Sequence, residues 1–85
     1  LSAIRSYSLI QEYAGMALQV DPRNADAYFW LITALNRLGS PEIARSELST
    51  AQIMLSSEEI SVLLERLRYS ESEKNKLIFT VSNQS

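Results

Sequence analysis

The sequence predicts one small all-α domain of four or five antiparallel helices. Apolar residues recur at steps of three and four along nearly the whole chain, which is typical of amphipathic helices. Only two Gly and two Pro occur in 85 residues, fewer breaks than an all-β chain needs. The segments between the periodic stretches are short, and short links force consecutive helices to run antiparallel.

The first periodic segment ends at the break formed by residues 21–24, because the residue before Pro22 avoids the α region. Its predicted buried stripe is Ile4, Tyr7, Ile10, Tyr13, Ala14, Ala17 and Leu18. Asn24 is a suitable cap for the second helix, and Gly39 is a suitable residue just beyond its end. The second stripe is Tyr28, Leu31, Leu35 and Leu38.

The third helix is predicted to begin with Ser40 as cap, Pro41 in the first turn and the first-turn carboxylate of Glu42. Its stripe is Ile43, Ala44, Leu48, Ala51 and Leu55. A capping box from Ser56 to Glu59 starts the fourth helix. The fourth stripe is Ile60, Leu63, Leu64 and Leu67.

The end of the fourth helix is expected near residue 70, where polar residues begin to dominate. The apolar run 77–81 then fits either a fifth helix, capped by Ser70 with Glu73, or a β-like tail, and periodicity does not distinguish them. Met16 and Met54 are predicted to fill gaps in the core.

Composition excludes several functions. The chain has no Cys and no His, which removes disulfides, thiolate and imidazole metal sites, a Cys nucleophile and a His general base. A carboxylate metal site or a carboxylate dyad is not removed by this composition, but a solvated helix start or linker explains the paired carboxylates Glu58–Glu59 and Glu71 with Glu73. We therefore expect no enzyme activity, no cofactor and no metal. Eight Lys+Arg against ten Asp+Glu give a net charge of -2, so we expect no direct binding of nucleic acid. The longest nearly apolar run, residues 27–35, is far shorter than a membrane span.

A 34-residue unit runs from Ala25 to Glu58, as helix, turn and helix. When this unit is aligned with the sequence 34 residues earlier, Ala51 corresponds to Ala17 and Ser56 to Pro22. The end of the first helix is therefore interpreted as the second half of a preceding unit. Because the chain begins at Leu1 without Met, we expect an excised domain or a processed product.

From Tyr7 to about Leu67 the chain resembles the tetratricopeptide repeat (TPR) family. The matching positions are Tyr28, Leu31, Leu35, Gly39, Ala44, Leu48 and Ala51. The sequence departs from the family pattern at Ile32, which replaces a small residue, and at Ser56, which replaces the usual Pro. The helix that begins at Ser57 departs further, because its apolar stripe matches that of the second helix best at a shift of 32 residues. The resemblance implies a short right-handed solenoid across residues 1–85: a half-repeat, a full repeat at about 25–58, a closing helix at about 57–70 and a tail at 71–85.

The aromatic cluster Tyr28, Phe29 and Trp30 is the main candidate for binding. Three successive helical residues span about 200°, so Phe29 and Trp30 cannot both lie on the Tyr28 stripe. Either they pack on another helix, or at least one anchors a partner. The TPR resemblance implies a concave, partner-binding face that contains Asp26, Phe29, Thr33, Asn36 and Arg37. Trp30 is added as a possible aromatic anchor. The candidate partner-binding residues are thus Asp26, Phe29, Trp30, Thr33, Asn36 and Arg37.

The resemblance implies a protein–protein interaction module that takes a peptide or a partner helix, or that self-associates. The family's carboxylate clamp for chaperone tails is not supported, because Phe29 and Thr33 occupy its positions. One alternative is a regulatory or oligomerisation domain, since residues 25–60 also resemble helices that follow DNA-binding domains in bacterial activators. Another is a small secretion chaperone. We expect a cytoplasmic location, with the periplasm as the alternative.

Overall fold

The part of the chain that the structure describes folds into four helices. A computed structural model describes the backbone of residues 3–84 and the side chains of residues 4–71. The helices are α1 (Ala3–Val20), α2 (Ala25–Arg37), α3 (Pro41–Met54) and α4 (Ser57–Gln84). No strand occurs in the described backbone, so the all-α prediction is confirmed.

Helix α4 is longer than the sequence pattern predicts. It continues for 28 residues to Gln84, so the expected end near residue 70 is wrong, and neither a separate fifth helix nor a β-like tail forms. Residues 70–76 contain no Gly or Pro, and their Glu and Lys residues are strong helix formers. Polar composition alone therefore does not end this helix. The side chains of the apolar run 77–81 lie outside the described side chains.

Helix α2 is the centre of the fold, because it contacts each of the other three helices. Helix α4 also touches α3, whereas α1 contacts α2 alone within the described part of the chain. The core is a single cluster around α2. Its members are Ala14, Tyr28, Leu31, Ile32, Leu35, Ala44, Ala51, Leu55 and Leu63.

Some residues of the predicted stripes are exposed instead of buried: Ile4, Tyr13, Ile43 and Leu64. Each lies at the edge of its stripe, and no described helix covers that edge. Met16 is also exposed, so the prediction that it fills the core is wrong. Met54 is partly buried and packs against the core as expected.

The turn between α1 and α2 is held by two side chains. The Asn24 Oδ1 atom accepts a hydrogen bond from the Ala27 N–H at 3.1 Å, which confirms the predicted cap. The Tyr28 hydroxyl donates to the Pro22 carbonyl oxygen at 2.9 Å. Burial, with a smaller contribution from the Glu47 carboxylate, raises the pKa of Tyr28 above its usual 10.0. The hydroxyl therefore remains a donor at neutral pH.

The turn between α2 and α3 depends on Gly39, whose φ is +81°. The Gly39 N–H donates to Asn36 O at 3.2 Å, and the Ser40 N–H donates to Leu35 O at 2.9 Å. These two bonds form a Schellman motif, in which a left-handed residue satisfies the last carbonyls of a helix. Pro41 follows in the first turn of α3 as predicted, but the Ser40 side chain makes no capping hydrogen bond.

The predicted capping box at the start of α4 is present. The Ser56 N–H donates to Glu59 Oε1 at 3.0 Å, and the Glu59 N–H donates to Ser56 Oγ at 3.2 Å. Hydrogen bonds from Ser56 lower the pKa of the Glu59 carboxyl below its ordinary 4.5. The ionised carboxylate is thus part of the cap.

Substitution by alanine should change the stability of the fold in opposite directions at the two glycines. A Cβ at either position meets no atom within 4 Å, so the backbone conformation decides whether the substitution stabilises or destabilises the fold. Gly39→Ala should destabilise the fold by about 1–2 kcal/mol, because the left-handed conformation is strained for an L-residue. Gly15→Ala, inside α1, should stabilise it by about 1 kcal/mol. Urea denaturation measures both; a stabilising Gly39→Ala would contradict the assigned turn.

The capping box should make stability depend on pH. Because the folded state lowers the Glu59 pKa, its stabilisation is complete above pH 4.5 and is lost as the pH falls below that value through the folded-state pKa. An NMR titration should give a Glu59 midpoint below 4.5 in the wild type and a higher one in Ser56→Ala. Ser57→Ala is the control and should leave the midpoint in place. Equal midpoints in all three proteins would show that the Ser56 side chain does not help to lower the Glu59 pKa.

Candidate functional site

Three of the six predicted binding residues lie together on the N-terminal half of α2. The Asp26 Oδ1 atom accepts a hydrogen bond from Nη1 of Arg66 on α4 at 2.7 Å. The Arg66 guanidinium carbon lies 4.1 Å from the centre of the Phe29 ring. Phe29 also meets Trp30 edge-to-face, with ring centres 5.1 Å apart and a 72° angle between the planes.

This arrangement separates the two aromatic side chains that the sequence left ambiguous. Phe29 is half-buried between α2 and α4, under the Arg66 guanidinium. Trp30 is 47% exposed and points away from that contact, towards α1. The Asp26–Arg66 pair lies at the surface, where such pairs contribute about 0–1 kcal/mol. Its main effect is to hold Arg66 over Phe29.

A groove of about 420 Å³ runs between α1 and α2; we call it the α1/α2 groove. Ala14 and Ala27 form its buried floor. Its complete lining is Ile10, Tyr13, Ala14, Ala17, Asn24, Asp26, Ala27 and Trp30. The two polar side chains already have partners, since Asn24 caps α2 and Asp26 pairs with Arg66. The groove therefore offers mainly aliphatic and aromatic surface.

A second apolar feature adjoins the groove on α1. Leu9, Tyr13, Met16 and Val20 are 46%, 65%, 54% and 88% exposed. We call these four residues the α1 stripe. At 100° per residue they lie within about 60° of one another around the helix. Tyr13 belongs to both features, so stripe and groove form one continuous apolar surface.

The other three predicted residues lie elsewhere. Thr33 is only 9% exposed, and its Oγ1 has no hydrogen-bond partner among the described residues. It faces α4 instead of an open concave surface, which corrects its expected exposure. Asn36 is exposed and Arg37 half-buried, and together with Thr33 they line a small cleft of about 40 Å³ beside Leu67 and Ser70.

The sequence pattern missed Arg66 and the α1 stripe. Arg66 is recognisable only from the fold, because 40 residues separate it from Asp26. The α1 stripe had a signal, since its residues follow steps of four, three and four. That signal was hidden because Tyr13 also fits the edge of the buried stripe.

Among the described residues, no group of three or more His, Cys, Asp or Glu residues is placed to hold a metal ion. None of the helices in that part of the chain is both long enough and apolar enough to cross a bilayer.

No protein-family model, curated protein or solved structure matches this chain.

The burial of Thr33 can be tested by substitution. A buried hydroxyl without a partner is unfavourable, so Thr33→Val should stabilise the fold by up to about 1 kcal/mol. Thr33→Ser keeps the hydroxyl and removes a methyl group, so it should destabilise the fold by about 1 kcal/mol. Thermal unfolding compares the three proteins. A loss of stability in Thr33→Val would show that the hydroxyl has a partner.

Proposed function

We propose that this chain is a protein–protein interaction module that binds a partner helix or an apolar peptide along the α1/α2 groove. One observation carries the proposal: a groove with an alanine floor has two exposed aromatic walls, Tyr13 and Trp30. The small floor residues admit a side chain of a ligand, and the aromatic walls supply large contact area on its flanks.

Exposed aromatic residues are favourable contacts for a partner. Trp and Tyr bring much apolar area with few rotatable bonds, and they are enriched where interfaces carry most of their binding energy. Trp30 is also held in place by its edge-to-face contact with Phe29. A rigid anchor loses little side-chain entropy when a ligand binds.

The TPR-like interpretation remains part of the proposal. Ala44 and Ala51, at the positions that the resemblance requires to be small, are buried in the core cluster. Close approach of two helices needs such residues. Self-association is the second candidate, and the exposed α1 stripe favours it.

A photo-crosslinking experiment tests the proposal. The photoreactive amino acid p-benzoylphenylalanine replaces Trp30 in one variant and Ile53, which is 82% exposed on α3, in the control. Irradiation in the cells of origin should give a discrete protein adduct from position 30 and none from position 53. Trp30→Ala should reduce binding of that partner at least tenfold while changing the melting temperature little, because its ring is half exposed.

The adduct pattern decides the outcome. Equal adducts from both positions, or no adduct from position 30, would overturn the proposal. Phe29→Ala serves as a comparison, because Phe29 packs against the core and its loss should lower stability as well as binding.

A further inference from the structure

We propose that two copies of this chain pair through the α1 stripe, with their α1 helices antiparallel, so that the α1 helix of each copy covers the α1/α2 groove of the other. This inference deepens the proposed function, because it names the partner as a second copy. It starts from the exposure of α1. Within the described part of the chain α1 contacts only α2, although α1 carries apolar residues on two faces.

The spacing of the α1 stripe is that of a helix–helix seam. Its residues follow one another at steps of four, three and four, the a/d spacing at which two helices interlock side chains. The face towards α2 is a different one, built around Ala14, which is buried in the core. The α1 stripe is therefore a second packing face of α1, suited to another helix, and not the margin of the face that packs on α2.

The stripe is symmetric about its own centre, between residues 14 and 15. Leu9 and Val20 are equally far from that point, and so are Tyr13 and Met16. In an antiparallel pair, Leu9 lies opposite Val20 of the second copy, and Tyr13 lies opposite Met16. Every layer then combines a larger with a smaller side chain, which favours interlocking. A two-fold interface requires such a self-complementary surface.

Charge does not oppose a second copy. Helix α1 carries one cation, Arg5, and one anion, Glu12, so its formal charge is zero although the whole chain carries -2. Two copies that meet at α1 bring no net charge together. Opposed helix dipoles favour the antiparallel orientation over the parallel one.

The groove and the stripe point to the same occupant. Tyr13 belongs to both, so a helix packed on the stripe lies next to the α1/α2 groove and faces Trp30 from the other side. That helix runs antiparallel to α1, as α2 does. It would cover the two exposed aromatic walls, Tyr13 and Trp30, and thereby extend the existing α1–α2 interface.

The size of the surface predicts a weak dimer. Helix α1 has 18 residues, so it is about 27 Å long, and two helices are about 20 Å wide. The resulting projected area of roughly 500 Å² per copy is at the lower limit for specific interfaces. We therefore expect a dissociation constant in the micromolar range.

Sedimentation velocity between 1 µM and 1 mM tests the pairing. The mass should rise with concentration from 9.6 kDa to twice that value. Met16→Glu should weaken the dimer at least about 100-fold, because it buries an unpaired charge, and should keep the helical circular dichroism spectrum. Ile53→Glu introduces the same charge at an exposed site on α3 and should leave the dimer intact. A monomer at 1 mM, or equal effects of both variants, would overturn the inference.

Disulfide trapping tests the orientation, because the chain contains no Cys of its own. An antiparallel pair brings position 9 next to position 20 of the other copy, whereas two positions 9 are about 16 Å apart along the axis. A mixture of Leu9→Cys and Val20→Cys chains should form a mixed disulfide, and Leu9→Cys alone should not. A disulfide in Leu9→Cys alone would indicate a parallel pair and overturn the proposed arrangement.

These experiments separate the two proposals. If the chain remains a monomer but position 30 crosslinks to another protein, the second copy is excluded and the interaction module stands. If position 30 gives no adduct while the dimer forms and the cysteine pair reacts, the groove is not used for binding. That result overturns the proposed function and the covering of the groove by a second copy, whereas the pairing through the α1 stripe stands.

Discussion

The whole arrangement depends on the burial of one 13-residue helix, α2, against the three others. Its side chains Tyr28, Leu31, Ile32 and Leu35 are nearly inaccessible to solvent and supply about half of the core cluster. A chain of this length without disulfides has little other apolar area to remove from water. Every helix is stabilised by its contact with α2, and the surfaces that remain open are those that α2 does not reach.

The fold could be predicted from the sequence to a large extent, because its signals are local. Asn24, Gly39 and the Ser56–Glu59 pair act within a few residues of themselves, and the structure contains the predicted cap, turn and capping box. The length of α4 was not predictable in this way. Polar composition after Ser70 suggested an end, but a helix stops only where a residue or a contact interrupts its backbone hydrogen bonds.

The candidate site was harder to predict, because exposure depends on which helices are neighbours. Phe29 and Trp30 could not be assigned to faces until α4 was placed beside one and α1 beside the other. Thr33 lies on the same side of α2 as Asp26, yet α4 covers Thr33 and leaves Asp26 in solvent. Tyr13 fits a buried pattern by spacing, but no described helix covers its side of α1.

The attachment of α1 by a single neighbour has a consequence for the dynamics of the chain. A helix held on one side can detach as a unit without disturbing the contacts among the other three, so its amide protons should exchange with solvent sooner than those of α2. Detachment would uncover Ala27, the α2 part of the groove floor, and free Trp30 on its α1 side. Any molecule that packs on the outer side of α1 would therefore also slow the local opening of the protein.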